Sequence, residues 1–161
     1  MVARLLRSTD FQRVLAVAPR SRSAHFAVHH LAAGPSPTAA QLRMHAKAEL
    51  STGDAPSCPP VVDESGVLAL VKVNEAVAAG RWLGLVVPKR HAKRSVTRSL
   101  LKRQMRTVMT AQADSLAPGL WVLRLKAPFD RQQFTSPGSD ALRQAAGDEL
   151  TQLLQRAAAR P

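Results

Sequence analysis

The chain has 161 residues, with 23 Lys or Arg against 11 Asp or Glu, so its formal net charge is +12. A hydrophobic fraction of 45% is too high for a disordered polybasic tail and suits one folded domain over residues 1–161. No stretch approaches the roughly 18 to 20 apolar residues of a membrane span, and charges interrupt the N-terminus where an export signal would be apolar. The lone Cys58 can form no internal disulfide, which fits a reducing cytosol. We therefore expect a cytoplasmic protein whose partner is a polyanion.

The first elements are a short helix and a strand. Residues 8–15 begin with helix-capping residue types and have an apolar face that contains Phe11, which predicts an amphipathic helix. Residues 25–31 have the composition and alternation of a strand. In such a strand Phe26 lies on one face and His29 on the other, because successive side chains point to opposite sides.

The rest of the chain predicts an insertion followed by alternating strands and helices. Glycine and proline are frequent from residue 34 onward, so we expect a flexible insertion at about residues 34–80. Short apolar runs predict strands, and amphipathic runs predict helices. The predicted strands are 67–73, 82–87 and 120–125, and the predicted helices are 95–113 and 140–158. This order favours an α/β sandwich with helices packed on a small sheet.

The most informative segment is residues 89–106, which contains eight basic residues and no acid. At roughly 100° per residue, its helical part has one apolar side and one basic side. Three of the cations follow one another at i+4, a rise of roughly 6 Å per step, which is close to the spacing of phosphates along a nucleic-acid strand. We therefore predict a phosphate-binding surface. Its residues are Lys89, Arg90, Lys93, Arg94, Arg98, Lys102, Arg103 and Arg106.

Three other interpretations of this segment are less favoured. A solvated basic helix face usually contains interleaved acids, and this segment has none. A membrane-surface helix usually carries Trp or Phe on its apolar side, which this helix lacks. A DNA-binding helix-turn-helix needs two closely linked helices, whereas strands flank this one.

The sequence offers no evident catalytic group. A protein nuclease needs paired carboxylates for metal ions or a histidine with a positioned partner. The acids of this chain are scattered, and neither metal-ligand spacing nor a phosphate-cradling glycine loop occurs. The sequence therefore predicts binding without catalytic residues or a metal site on the protein.

At the basic segment the chain resembles the protein component of bacterial ribonuclease P. That family has an apolar strand, a Lys-Lys pair, further basic residues, and then Arg-Asn-Arg, one residue, Lys-Arg, two residues and Arg. The register here holds without a gap from Lys89 to Arg106, although Ser99 and Leu100 stand where the family has Asn and Arg. Residues 4–15 are similar to the family's opening helix, with Phe11 at its first aromatic position.

The resemblance implies a two-layer α/β (α+β) sandwich with a central mixed sheet and a left-handed βαβ crossover. It also implies a subunit of an endoribonuclease that binds a catalytic RNA and helps to remove the 5′ leader of precursor tRNA. In the family the RNA carries the chemistry, with Mg²⁺ held mainly by RNA groups, and neither DNA nor a membrane is a partner. The leader lies in a cleft between the opening helix and the sheet, for which the candidates are Phe11, Leu15, Phe26 and His29. The alternative is a ribosomal or other structured-RNA-binding protein without a processing role.

Overall fold

The computed structural model describes residues 1–37, 80–130, 132–136 and 138–159. Within these ranges the chain forms five strands and three α-helices, together with one short 3-10 helix, Ala113–Ser115. In chain order they are β1 (Val2–Arg4), α1 (Ser8–Ala16), β2 (Ser21–Arg22), β3 (Phe26–Leu31), β4 (Arg81–Val86), α2 (Ser95–Ala111), β5 (Gly119–Leu125) and α3 (Asp140–Ala158).

The described elements agree closely with the sequence prediction. The bounds of α3 are those predicted, and those of α1, α2, β3, β4 and β5 differ by one or two residues. The prediction missed β1 and β2 because strands of three and two residues are too short to show alternation. Two predictions, the strand at 67–73 and most of the insertion at 34–80, lie outside the described residues.

The five strands form one mixed sheet in the order β1-β4-β5-β3-β2. Strand β4 runs parallel to both β1 and β5, whereas β3 runs antiparallel to β5 and to β2. Helix α2 connects the parallel strands β4 and β5, as parallel neighbours require a crossover. The mixed sheet with packed helices confirms the predicted fold class, and the left hand of this crossover stays a prediction.

The two faces of the sheet carry different helices. Alternate residues of β3, β4 and β5 pack with α2 and α3 into the larger core, which includes Phe26, Leu83 and Trp121. The intervening residues, such as Val122, face α1 in a smaller cluster around Val14. The sheet with α2 and α3 forms the predicted two-layer core, and α1 covers the opposite face.

Helix α1 is fastened to the chain that follows β3. The carboxylate of Asp10, only 1% exposed, accepts hydrogen bonds from the Ser36 backbone N–H at 3.0 Å and the Ser36 hydroxyl at 2.6 Å. Arg13 also pairs with this carboxylate at 3.1 Å, and Arg7 donates to the Ser36 carbonyl oxygen at 2.8 Å. Buried carboxylates are stable only with such partners, so this network fixes the position of α1 and of Phe11, the residue after Asp10.

Helix α3 is fastened to the start of β3 through Glu149. The backbone N–H of His25 donates to one Glu149 carboxylate oxygen at 2.6 Å, and the His25 ring Nδ1 lies 2.7 Å from the other. Burial raises the pKa of Glu149, but hydrogen bonds from Ser23 and His25 outweigh it and hold this pKa below its usual value. The charged form of Glu149 therefore stabilises the folded state.

The Glu149→Gln variant should lose the acid sensitivity that this carboxylate confers. Because the folded pKa is below the unfolded value of about 4.3, the stabilisation is present above that pH and is lost as the pH falls through the folded pKa. We expect the free energy of unfolding of the variant to be lower at pH 7 by about 1 to 2 kcal/mol. Below about pH 4.3, this free energy should fall less steeply with pH than that of the wild type. Urea unfolding at several pH values measures both effects.

The neighbouring exposed Asp148 provides the matched control. Asp148→Asn should leave the free energy of unfolding within about 0.5 kcal/mol of the wild type. Identical pH profiles for wild type and Glu149→Gln would contradict the role of the pair between Glu149 and His25.

Candidate nucleic-acid interface

The basic residues of α2 and of the preceding loop form a surface that faces solvent. Helix α2 buries Leu101, Met105 and Met109 completely, which turns the helix so that most of its cations point away from the core. The exposed members of the predicted set are Lys89, Arg90, Lys93, Arg94, Lys102, Arg103 and Arg106. We call these seven residues the basic surface.

The basic surface has no acidic partner in the part of the chain that the structure describes. The ion pairs there are Arg13 with Asp10, His25 with Glu149 and Arg143 with Asp140, and none includes a residue of the basic surface. Repulsion between cations at i+4 costs a few tenths of a kcal/mol per pair. A bound polyanion with regularly spaced charges would relieve that repulsion. If the helix face were only solvated, no opposite charge on a partner would offset it.

Arg98 differs from the other predicted cations because it is half-buried. Its guanidinium donates to the carbonyl oxygens of Ala92 at 3.0 Å and Lys93 at 2.7 Å, both in the loop before α2. Arg98 therefore holds this loop against the first turn of the helix, a role that the i+4 spacing did not indicate. Its predicted contact with RNA stays a prediction.

Phe11 and Leu15 lie together on the α1 face of the sheet, as the helical spacing predicts. Both are half-buried and pack against the cluster that contains Val14. The Phe11 ring lies over Gly84 of β4, where an added Cβ would stand only 2.5 Å from the ring atom Cε1. The absence of a side chain at Gly84 therefore leaves the space that this ring occupies.

A cavity of about 170 Å³ connects Phe11 with the basic surface. It lies near the end of β1, at the edge of the sheet, and Phe11, Lys102 and Arg106 all line it. Arg4 and Leu6 also line it, and Leu6 is 78% exposed. We call this space the edge cavity. Sequence reasoning missed Arg4 and Leu6 because it did not detect β1.

The prediction that Phe26 lines the leader cleft is wrong. Phe26 is fully buried, and its ring packs 5.7 Å from that of Phe129 in the core with α2 and α3. It thus lies on the opposite face of the sheet from Phe11 and has no surface against which a base could stack. The composition of β3 is typical of a binding strand as much as of a core strand. The sequence alone therefore did not distinguish a core position for Phe26 from a binding position.

His29 lies on the α1 face, opposite Phe26, as the strand alternation predicts. It is only 6% exposed, and its ring Nδ1 donates to the Val17 carbonyl oxygen at 2.9 Å. This bond supports the chain at the end of α1, so the described geometry gives His29 a structural role. On the same face, the half-buried Trp82 packs on the α1 cluster and is an aromatic residue that sequence reasoning did not assign to the cleft.

The described residues contain neither a metal cluster nor a membrane-spanning helix. No three His, Cys, Asp or Glu side chains in these ranges lie close enough together to hold a metal ion. No helix in the same ranges combines the length and apolar composition that crossing a membrane requires.

Comparison with known proteins identifies relatives of this chain. Residues 61–157 match the family model described as Ribonuclease P. A ribonuclease P protein component from Burkholderia pseudomallei (strain 1106a) is 40% identical over 76 residues, which cover 47% of this chain and 56% of that protein. The match thus spans about half the length of that relative. A protein of the same name from Paraburkholderia xenovorans (strain LB400) is 27% identical over 156 residues, or 97% of this chain and 81% of the relative.

The fold is also similar to a solved structure, that of the RNase P protein of Staphylococcus aureus. The TM-score is 0.51 and the sequence identity 17%, with coverage of 98% of this chain and 97% of the other. This likeness concerns the fold alone. The family model, however, matches more than half of the chain, from residue 61 to residue 157, and the chain therefore belongs to the ribonuclease P protein family.

Proposed function

We propose that this chain is the protein subunit of a ribonuclease P. It binds the catalytic RNA through the basic surface and contacts the 5′ leader of precursor tRNA beside α1. The observation that carries the proposal is the edge cavity, because Phe11 and two exposed cations, Lys102 and Arg106, line this one cavity.

The basic surface suits a long folded RNA. Each Lys or Arg that neutralises a phosphate releases a condensed counterion, so seven exposed cations without a described acidic partner supply strong, salt-dependent binding. Phosphate contacts orient a partner without reading its sequence. The loop that Arg98 holds in place adds fixed geometry to this charge.

The edge cavity suits a single strand of variable sequence. An aromatic ring stacks on an unpaired base with about 1 to 3 kcal/mol and little preference among bases. A leader strand in the edge cavity would meet the ring of Phe11 next to Lys102 and Arg106, which line the same cavity. Because the leader sequence differs from one precursor tRNA to another, its binding site must accept any of the four bases.

The chemical step belongs to the RNA in this proposal. The described part of the chain offers no cluster of acids or histidines for metal-assisted hydrolysis, so we assign Mg²⁺ to groups of the catalytic RNA. The complete ribonucleoprotein is the endoribonuclease, and its place is the cytoplasm. Neither DNA nor a membrane is a partner in this account.

The alternative is a structured-RNA-binding protein without a processing role, such as a ribosomal protein. It would use the basic surface equally well, and it would also use aromatic rings, because unpaired bases of structured RNAs stack on them. Family membership favours the ribonuclease P subunit.

Reconstitution tests the proposed function. Added to its catalytic RNA at low Mg²⁺, the protein should raise the rate of precursor-tRNA cleavage above that of the RNA alone, because its cations offset the repulsion between RNA strands. Cleavage is measured from the release of an end-labelled leader. Protein without RNA should release nothing, and release by RNA-free protein would contradict the assignment, as would a failure to stimulate the RNA.

Substitution of Lys102 or Arg106 on α2 should flatten the salt dependence of binding to the catalytic RNA. Lys102→Ala and Arg106→Ala should each lower the slope of log K against log salt by about 0.7 to 0.9, the effect of one lost phosphate contact. The exposed Arg156 of α3 is the matched control, and Arg156→Ala should keep the wild-type slope. Slopes that are unchanged in all three variants would mean that α2 has a merely solvated basic face.

A further inference from the structure

A second cavity, of about 210 Å³, lies on the other flank of α2. It opens between the loop before α2 and the segment that joins β5 to α3, and it lies against Thr97 and Leu101 of α2. At 100° per residue these two positions lie on a different side of the helix from Lys102 and Arg106, which line the edge cavity. We call this second space the flank cavity.

The flank cavity has an aromatic wall that the core holds in place. Phe129 stacks on the His25 ring at a centroid distance of 4.0 Å and an interplanar angle of 13°. Phe134 meets Phe129 edge to face at 5.8 Å, and both rings are half-buried and line the cavity. Glu149 in turn accepts the His25 backbone N–H and pairs with the His25 ring, so hydrogen bonds to α3 support the wall. A wall fixed in this way loses little conformational freedom when a ligand binds.

Two exposed cations, Lys93 and Arg94, also line the flank cavity. Arg98 connects the loop that carries them to α2, because its guanidinium donates to the carbonyl oxygen of Lys93 at 2.7 Å. The acid in the lining is Asp130, whose carboxylate accepts the Gln132 backbone N–H at 2.8 Å. Two cations against one acid leave the cavity positive, so it is complementary to an anion that carries a flat apolar group.

The size of the flank cavity limits the ligand to a small one. Pockets for drug-sized molecules measure about 300 to 1,000 Å³, and this cavity is smaller. A single nucleobase with its phosphate at the rim combines the flat ring that an aromatic wall binds with the charge that Lys93 and Arg94 bind.

We propose that the flank cavity binds one unpaired nucleotide of the catalytic RNA, with the base against Phe134 and the phosphate between Lys93 and Arg94. This inference rests on the proposed function. The catalytic RNA is the source, because Phe11 and the edge cavity direct the leader along α1, whereas the flank cavity lies beside α2 and α3. Nothing in the resemblance assigns a role to Phe129 or Phe134.

The test compares Phe134→Leu with Phe134→Tyr in the complex with the full catalytic RNA. Leucine keeps an apolar side chain but removes the stacking ring, whereas tyrosine keeps the ring. We expect Phe134→Leu to weaken RNA binding about fivefold or more, as the loss of one stacked base implies. In chemical probing of the RNA, one unpaired nucleotide that the wild type protects should become reactive. Phe134→Tyr should keep both the wild-type affinity for the catalytic RNA and the protection of that nucleotide.

Phe11→Leu serves as the matched control, and it should leave the protection of that nucleotide unchanged. Wild-type affinity and an unchanged protection pattern in Phe134→Leu would overturn the inference, as would equal losses in the leucine and tyrosine variants. A protection that depends on the leader of bound precursor tRNA would assign the cavity to the substrate and overturn it as well. If the wild type stimulates the RNA while these results are negative, only the flank cavity assignment fails; if the wild type does not stimulate it, the proposed function fails and this inference with it.

Discussion

The burial of one side of α2 against the sheet is the constraint on which the interface depends. Leu101, Met105 and Met109 are fully buried, and α2 must span the distance between the parallel strands β4 and β5. Each of these side chains contributes about 1.5 to 3 kcal/mol when it is fully buried. Rotation of the helix would expose them, so the direction of its cations is set by packing rather than by the cations themselves.

The same packing separates the two proposed RNA contacts. One flank of α2 borders the edge cavity with Phe11, and the other borders the flank cavity with Phe134. Both aromatic residues are positioned by hydrogen-bonded carboxylates, Asp10 beside Phe11 and Glu149 through the stack of His25 on Phe129. In the described residues, these two acids thus hold structural elements in place, while the cations of the basic surface remain exposed.

Periodicity was sufficient to predict the long elements. The 3.6-residue repeat located α2 and α3. Because α2 has a distinct apolar side, the repeat also predicted that most of its basic residues face solvent. Alternation also separated Phe26 from His29 correctly. It could not say which face of β3 the larger core covers, since that depends on which helices pack there, and the assignment of Phe26 to the cleft failed for this reason.

Other features depend on contacts between segments that are distant in sequence. The edge cavity requires β1, a strand of three residues that pairs with β4 some 80 positions later. The hydrogen bonds from Arg98 to the loop carbonyls could not be predicted, because the spacing of basic residues does not distinguish Arg98 from the other cations. The stack of His25 on Phe129 joins β3 to the segment after β5, and its two residues share no motif.

The central claim, that the leader passes the edge cavity, is tested most directly by a tethered cleavage reagent. Cys58 is the only cysteine of the chain, so replacing it by serine allows an iron chelate to be attached at Leu6→Cys, whose native side chain is exposed and lines this cavity. In the holoenzyme with bound precursor tRNA, radicals from residue 6 should cut the leader, whereas the same reagent at Arg156→Cys on α3 should not. An intact leader with the reagent at residue 6, or equal cutting from both positions, would contradict the account.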